Sequence, residues 1–161
     1  AHWTEIDLDR AEWRIPAERM KMREPHIVPL SRQAVELLTE LKTHTGGRSF
    51  LFPNYRNPQT CMTATTLNRA LERMGFNGKD SIGFSAHGFR ATASTMLNEM
   101  GFRPDVIERQ LAHAERNKVR ASYNQGEYME ERRAMMQQWA DLTDEMAKDE
   151  NKVTPIKKAA A

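Results

Sequence analysis

The spacing of apolar residues changes at Ser31, and that change restricts the fold more than any other feature of the chain. Ahead of Ser31 the apolar positions alternate, which is the period of a half-buried strand. Ile6 and Leu8 alternate with polar residues, as do Trp13 and Ile15, and Asp9-Arg10-Ala11 makes the turn between them. Pro16 closes the second strand or sits on a sheet edge, and His26-Ile27-Val28-Pro29-Leu30 reads as a third strand. The loop ahead of that strand carries Arg19, Lys21 and Arg23.

Beyond Ser31 the period becomes helical. Ser31 is placed to cap a helix whose inner face is Ala34, Leu37, Leu38 and Leu41, and Gly46-Gly47 breaks it. Phe50-Leu51-Phe52-Pro53 forms a short apolar clamp in the connection that follows. Thr63 is expected to cap a second helix with Leu67, Ala70, Leu71 and Met74 inward, stopped by Gly75. Ser85 caps a third, with Ala93, Met96, Leu97 and Met100 inward and Gly101 at its end. Pro104 suits the first turn of a fourth helix that buries Val106, Ile107 and Leu111. Residues 118–124 read as a short helix or turn, and a longer helix runs from about Met129 to Met146 with Met135, Trp139 and Leu142 at helical spacing. The expected fold class is α+β, mainly α-helical: a small N-terminal antiparallel sheet followed by a helical bundle.

At 161 residues, 39% of them hydrophobic, the chain suffices for one domain with a core. No apolar run approaches a membrane span, and Ala1-His2-Trp3-Thr4-Glu5 does not begin a secretory signal. Cys61, the single cysteine, excludes an internal disulfide and a cysteine-rich zinc site, which fits a reducing, cytoplasmic setting. The net charge of +2 does not by itself point to nucleic acid. Residues 10–32, however, hold six basic side chains (Arg10, Arg14, Arg19, Lys21, Arg23, Arg32) against three acidic ones. Such a local surface can contact phosphates or can simply be a solvated face.

Six side chains invite chemistry. His87 and Arg90, three apart at the start of the third helix, share a face where free backbone N–H groups and the helix dipole favour an anion. Arg90 adds a forked cationic donor suited to two phosphate oxygens. His113 follows the fourth helix, and Tyr123 and Tyr128 follow it in turn. Lys21 lies in the basic loop, within Met20-Lys21-Met22-Arg23. Taken singly, each of these is common in proteins without catalytic use, and nothing in composition separates Tyr123 from Tyr128.

Their order is informative. Lys21, His87-x-x-Arg90, Leu111-Ala112-His113 and Tyr123 together resemble the active-site series of the tyrosine recombinases, the phage-integrase family. The wording of Glu5-Ile6-Asp7-Leu8-Asp9, Pro25-His26-Ile27-Val28-Pro29-Leu30 and Ala86-His87-Gly88-Phe89-Arg90 is similar to integrases of prophages and pathogenicity islands. The resemblance covers residues 1 to about 146. It implies that Tyr123 attacks a DNA phosphate to form a 3′-phosphotyrosyl link, with Arg90 and His113 stabilising charge, His87 as base and Lys21 as acid. Strand exchange through a Holliday junction then needs no cofactor and no metal.

The implied partners are double-stranded DNA at attachment sites, further copies of the chain in a homo-tetramer, and accessory DNA-bending proteins, with no membrane; the implied place is the bacterial cytoplasm, on the nucleoid. Met135, Met136 and Trp139 serve either to dock on a neighbouring protomer or to pack on their own domain.

Two departures accompany the resemblance. Residue 112 is Ala where many members carry Gly, and the spacing from His113 to Tyr123 is one residue longer than in much of the family, which suits its prophage branch. The family's first catalytic arginine would lie just ahead of Trp3-Thr4-Glu5-Ile6-Asp7, so residues 1–147 are expected to be a catalytic domain truncated at its N-terminus and impaired by that loss. Residues 148–161 are expected to be a polar, disordered tail. The alternatives are a non-catalytic DNA-binding helical domain and a type IB topoisomerase-like strand cleavage. A metal-dependent nuclease is disfavoured by scattered carboxylates.

Overall fold

A computed structural model describes residues 1–112 and 128–148. Three short strands open the chain: β1 (Ile6–Asp7), β2 (Glu12–Ile15) and β3 (His26–Pro29). They form one antiparallel sheet in the order β1-β2-β3, with Ile6 opposite Trp13 and Ile15 opposite His26. Pro29, which lacks an N–H, is tolerated because β3 is an edge strand. The first strand is shorter than its alternation suggests. Leu8 belongs to the turn, where the Asp7 carboxylate accepts from the Arg10 N–H at 2.9 Å and Ala11 takes a left-handed φ of 52°.

Helices α1 (Arg32–Thr45), α2 (Thr65–Arg73), α3 (Ala86–Glu99), α4 (Pro104–Gln110) and α5 (Met129–Lys148) follow. The α+β architecture is therefore as expected. None of the described helices is long and apolar enough to cross a membrane. Ser31 caps α1 through its hydroxyl, which accepts from the Ala34 N–H at 3.2 Å. Pro104 occupies the first turn of α4. Gly75 and Gly101, both with φ of 82°, end α2 and α3 in the left-handed conformation that glycine adopts without strain.

The core is smaller than the apolar periodicity suggests. Leu97 of α3, Val106 and Ile107 of α4 and Met135 of α5 form its buried cluster, with Phe102, Leu111, Tyr128, Met136 and Trp139 packed around it. Met135, Met136 and Trp139 thus serve their own domain. Leu37 faces solvent instead of the core, because α1 meets α5 through polar groups. Gln33 donates to Asp141 at 2.7 Å and accepts from Gln137 at 2.9 Å. Leu71 of α2 is buried while Leu67 and the C-cap residue Met74 are exposed, as the helix turns one narrow line of residues toward α3. Met100 is likewise at the surface. Thr63 precedes α2 without capping it, Ala64 holding the cap position. The clamp at 50–53 is realised in part: Leu51 is buried and the Phe50 ring stacks 4.5 Å from His2, but Phe52 is exposed. The readings for 118–124 and the tail lie outside the described residues.

The sheet is fastened by charged groups as much as by apolar ones. Glu12, nearly buried, pairs with Arg14 at 2.8 Å and with Arg133 of α5, whose guanidinium also donates to the Arg10 carbonyl at 3.2 Å. Glu5 accepts from the Trp13 indole at 3.0 Å and from Arg19. Burial alone would raise the Glu5 carboxyl, but the bonds from Trp13 and Arg19 outweigh it and hold the group below its ordinary value.

A depressed carboxylate stabilises the fold above its unfolded value and loses that contribution as pH falls through the folded one. Glu5→Gln is therefore expected to cost about 1–2 kcal/mol at neutral pH. The difference from the parent should shrink toward zero below about pH 4. Urea denaturation across pH checks this, and a pH-independent difference would contradict it.

Candidate active site

The site is built on the first turn of α3. Ser85 has the extended backbone of a cap residue (φ −113°, ψ 166°), but its side chain makes no capping bond. The Ala86 N–H is instead satisfied by the Asn68 side chain of α2 at 2.8 Å. Ser85 thus holds the cap position expected of it, while the side-chain acceptor comes from eighteen residues upstream and leaves no local signature. Gly88, between the two site residues, leaves room for the Phe84 ring. A methyl there would sit 2.8 Å from the Phe84 ring, which also meets Phe89 edge-on at 4.9 Å between centroids.

His87 and Arg90 project from this turn into one open groove of about 340 Å³, together with Ala91, Ser94, Thr95 and Leu111. Arg90 donates to the Leu111 carbonyl at the end of α4. A guanidinium carries five N–H donors in a fixed plane, so anchoring it on a carbonyl orients the plane. The arrangement joins the His-x-x-Arg pair to the chain two residues ahead of His113.

The end of α4 is held from other directions as well. The Gln110 carbonyl lies 3.3 Å from Nε2 of His26, a buried residue of β3, which requires a proton on that nitrogen. The Gln110 side chain accepts from Nε of Arg132 at 2.9 Å. Arg132 also donates to the Ile27 carbonyl at 2.5 Å. The helix then exits through Ala112 at φ 51°, a left-handed conformation. An alanine is strained in that conformation, which a glycine adopts freely.

Lys21 lies exposed in the loop between β2 and β3 and does not line the groove, although that loop leads into His26 and hence to the α4 terminus. His113 and Tyr123 lie outside the described residues. Tyr128 is committed elsewhere: its ring packs on the core cluster and lies 5.2 Å beneath the Arg103 guanidinium. The sequence reading missed His26, Gln110 and Arg132. Of these only Arg132 left a trace, as an arginine three residues ahead of Met135 on the inward face of α5.

The sequence profile of the Phage integrase family matches residues 1–130. Prophage integrase IntA of Escherichia coli K12 is 51% identical over 142 residues, covering 88% of this chain and 33% of that protein. The integrase of Enterobacteria phage P4 is 46% identical, covering 89% of this chain and 36% of that protein. Prophage integrase IntZ of Escherichia coli K12 is 48% identical, with 88% and 34% covered. The chain thus spans about a third of the length of these curated relatives. No solved structure matches it.

Relieving the strain at residue 112 offers a direct check on the local geometry. Ala112→Gly is expected to stabilise the chain by about 0.5–1 kcal/mol, the left-handed penalty less the entropy cost of glycine. Equilibrium denaturation measures it, and a loss of stability would contradict the left-handed assignment.

Proposed function

This chain belongs to the phage integrase family, and on that premise we propose that it carries the catalytic domain, residues 1–147, of a site-specific DNA recombinase. The Tyr123 phenol oxygen attacks the scissile phosphorus, a P–O bond forms, and the bond to the 5′-oxygen breaks. The result is a 3′-phosphotyrosyl ester and a free 5′-hydroxyl. The ester retains the energy of the broken bond, so rejoining needs no external energy source. His87 takes the phenolic proton and Lys21 gives one to the departing oxygen. Arg90 and His113 neutralise the charge that grows on the non-bridging oxygens. Attack by the 5′-hydroxyl of a partner strand reverses the step and produces a Holliday junction. The partners are attachment-site DNA, a homo-tetramer of such chains, and accessory DNA-bending proteins.

The observation that carries this reading is the groove in which Arg90 rests on the Leu111 carbonyl beside His87, so that residues 87, 90 and 111 meet immediately ahead of His113. The engagement of Tyr128 with Arg103 and the core supports Tyr123 as the nucleophile. Arg90 is a phosphate-binding arginine in the proposed chemistry. Losing one such donor costs about 3–4 kcal/mol. Arg90→Ala is therefore expected to slow cleavage about 10²–10³-fold.

The test is covalent capture on a nicked suicide DNA substrate. An adduct that maps to Tyr123 and is abolished in Tyr123→Phe, with DNA affinity retained, is the expected result. Binding without any adduct would favour a non-catalytic DNA-binding domain. Mapping to Tyr128 would overturn the assignment of the nucleophile, and relaxation of supercoils by a single protomer would indicate a topoisomerase.

A further inference from the structure

We propose that Arg132 is a positioning residue for Arg90, acting through the end of α4; the catalytic part of this inference rests on the recombinase reading above. Arg132 lies beyond the residues matched by the family profile, yet its side chain is completely buried, with a relative exposure of 0%. Burying a guanidinium carries a large desolvation cost, and well-packed apolar replacements of buried charges are often neutral or stabilising. A guanidinium buried at this cost is held by specific acceptors.

The geometry supplies a reason. The planar head spans two elements: Nε donates to the Gln110 side chain at 2.9 Å and the terminal nitrogen donates to the Ile27 carbonyl at 2.5 Å. His26, the neighbour of Ile27, lies 3.3 Å from the Gln110 carbonyl. Gln110 is thus pinned through both its side chain and its main chain, from α5 and from β3. The next carbonyl along, that of Leu111, receives Arg90. Arg132 therefore fixes the residue preceding the one on which the Arg90 guanidinium rests. A shift in Gln110 would carry the Leu111 carbonyl with it and rotate the plane of Arg90 within the groove. Misplacement of a reacting group by about 1 Å costs about 10²-fold in rate.

Two variants separate positioning from folding. Arg132→Lys keeps the charge but cannot span both acceptors. Gln110→Met leaves Arg132 in place and removes one acceptor, so it carries the test if the buried variant fails to fold. The first measurement is the Arg90 Nε–H resonance of the 161-residue chain, assigned by its disappearance in Arg90→Lys. Both variants are expected to move or broaden that resonance while the backbone spectrum stays dispersed. An unmoved Arg90 resonance in a folded variant would overturn the proposal.

The second measurement is single-turnover cleavage at saturating DNA, in the same polypeptide used for covalent capture. We expect the rate to fall about 10- to 10²-fold, with Kd for DNA changed less than about 3-fold. A proportionate loss of affinity, or an unchanged rate, would overturn it. Should the parent form no adduct at all, the recombinase reading fails and the Arg90 resonance alone decides whether Arg132 positions Arg90.

Discussion

The last turn of α4 is the point on which this domain depends. Within two consecutive residues, Gln110 and Leu111, it receives His26 from the sheet, Arg132 from α5 and Arg90 from α3. All three donors meet neutral oxygens of the chain, groups that a helix end leaves without intrahelical partners or that Gln110 supplies itself. A seven-residue helix has little stability of its own. Its place is set by Val106 and Ile107 in the core beneath it and by these polar ties at its end.

This arrangement divides labour between apolar and polar contacts. Leu97, Val106, Ile107 and Met135 exclude water from the junction of α3, α4 and α5, but dispersion and hydrophobic burial are non-directional. Direction comes from the hydrogen bonds of buried His26 and Arg132 and from the Glu12 carboxylate between Arg14 and Arg133. The first turn of α3 is set in the same way. Asn68 satisfies its leading N–H, and the Phe84 ring occupies the space that Gly88 leaves. The groove containing His87 and Arg90 is consequently shaped by residues that do not line it.

Much of this was legible in the sequence where a rule acts over a few residues. The three strands, the Ser31 cap, Pro104 at the start of α4, and the stops at Gly75 and Gly101 all follow from local backbone preferences. Periodicity also identified Leu97, Val106, Ile107 and Met135 as inward. It failed at Leu37, Leu67, Met74 and Met100, because an amphipathic face reports which side of a helix is apolar and not whether another element covers it. Ser85 holds the cap position of α3 as expected, but the side-chain acceptor for the leading N–H, Asn68, arrives from another helix and has no local signature.

The residues proposed for phosphate chemistry, their order, and the family to which the chain belongs were legible in the sequence, since motif and spacing survive in one dimension. Which groups hold those residues was decided only in three dimensions. Arg132 and Gln110 are twenty-two positions apart, His26 and Gln110 eighty-four, and Arg132 and Ile27 a hundred and five. Hydrogen bonds of that separation have no periodic or local signature. They exist because the sheet, α4 and α5 close on a common core and bring a buried guanidinium, an imidazole and two carbonyls within reach of one another.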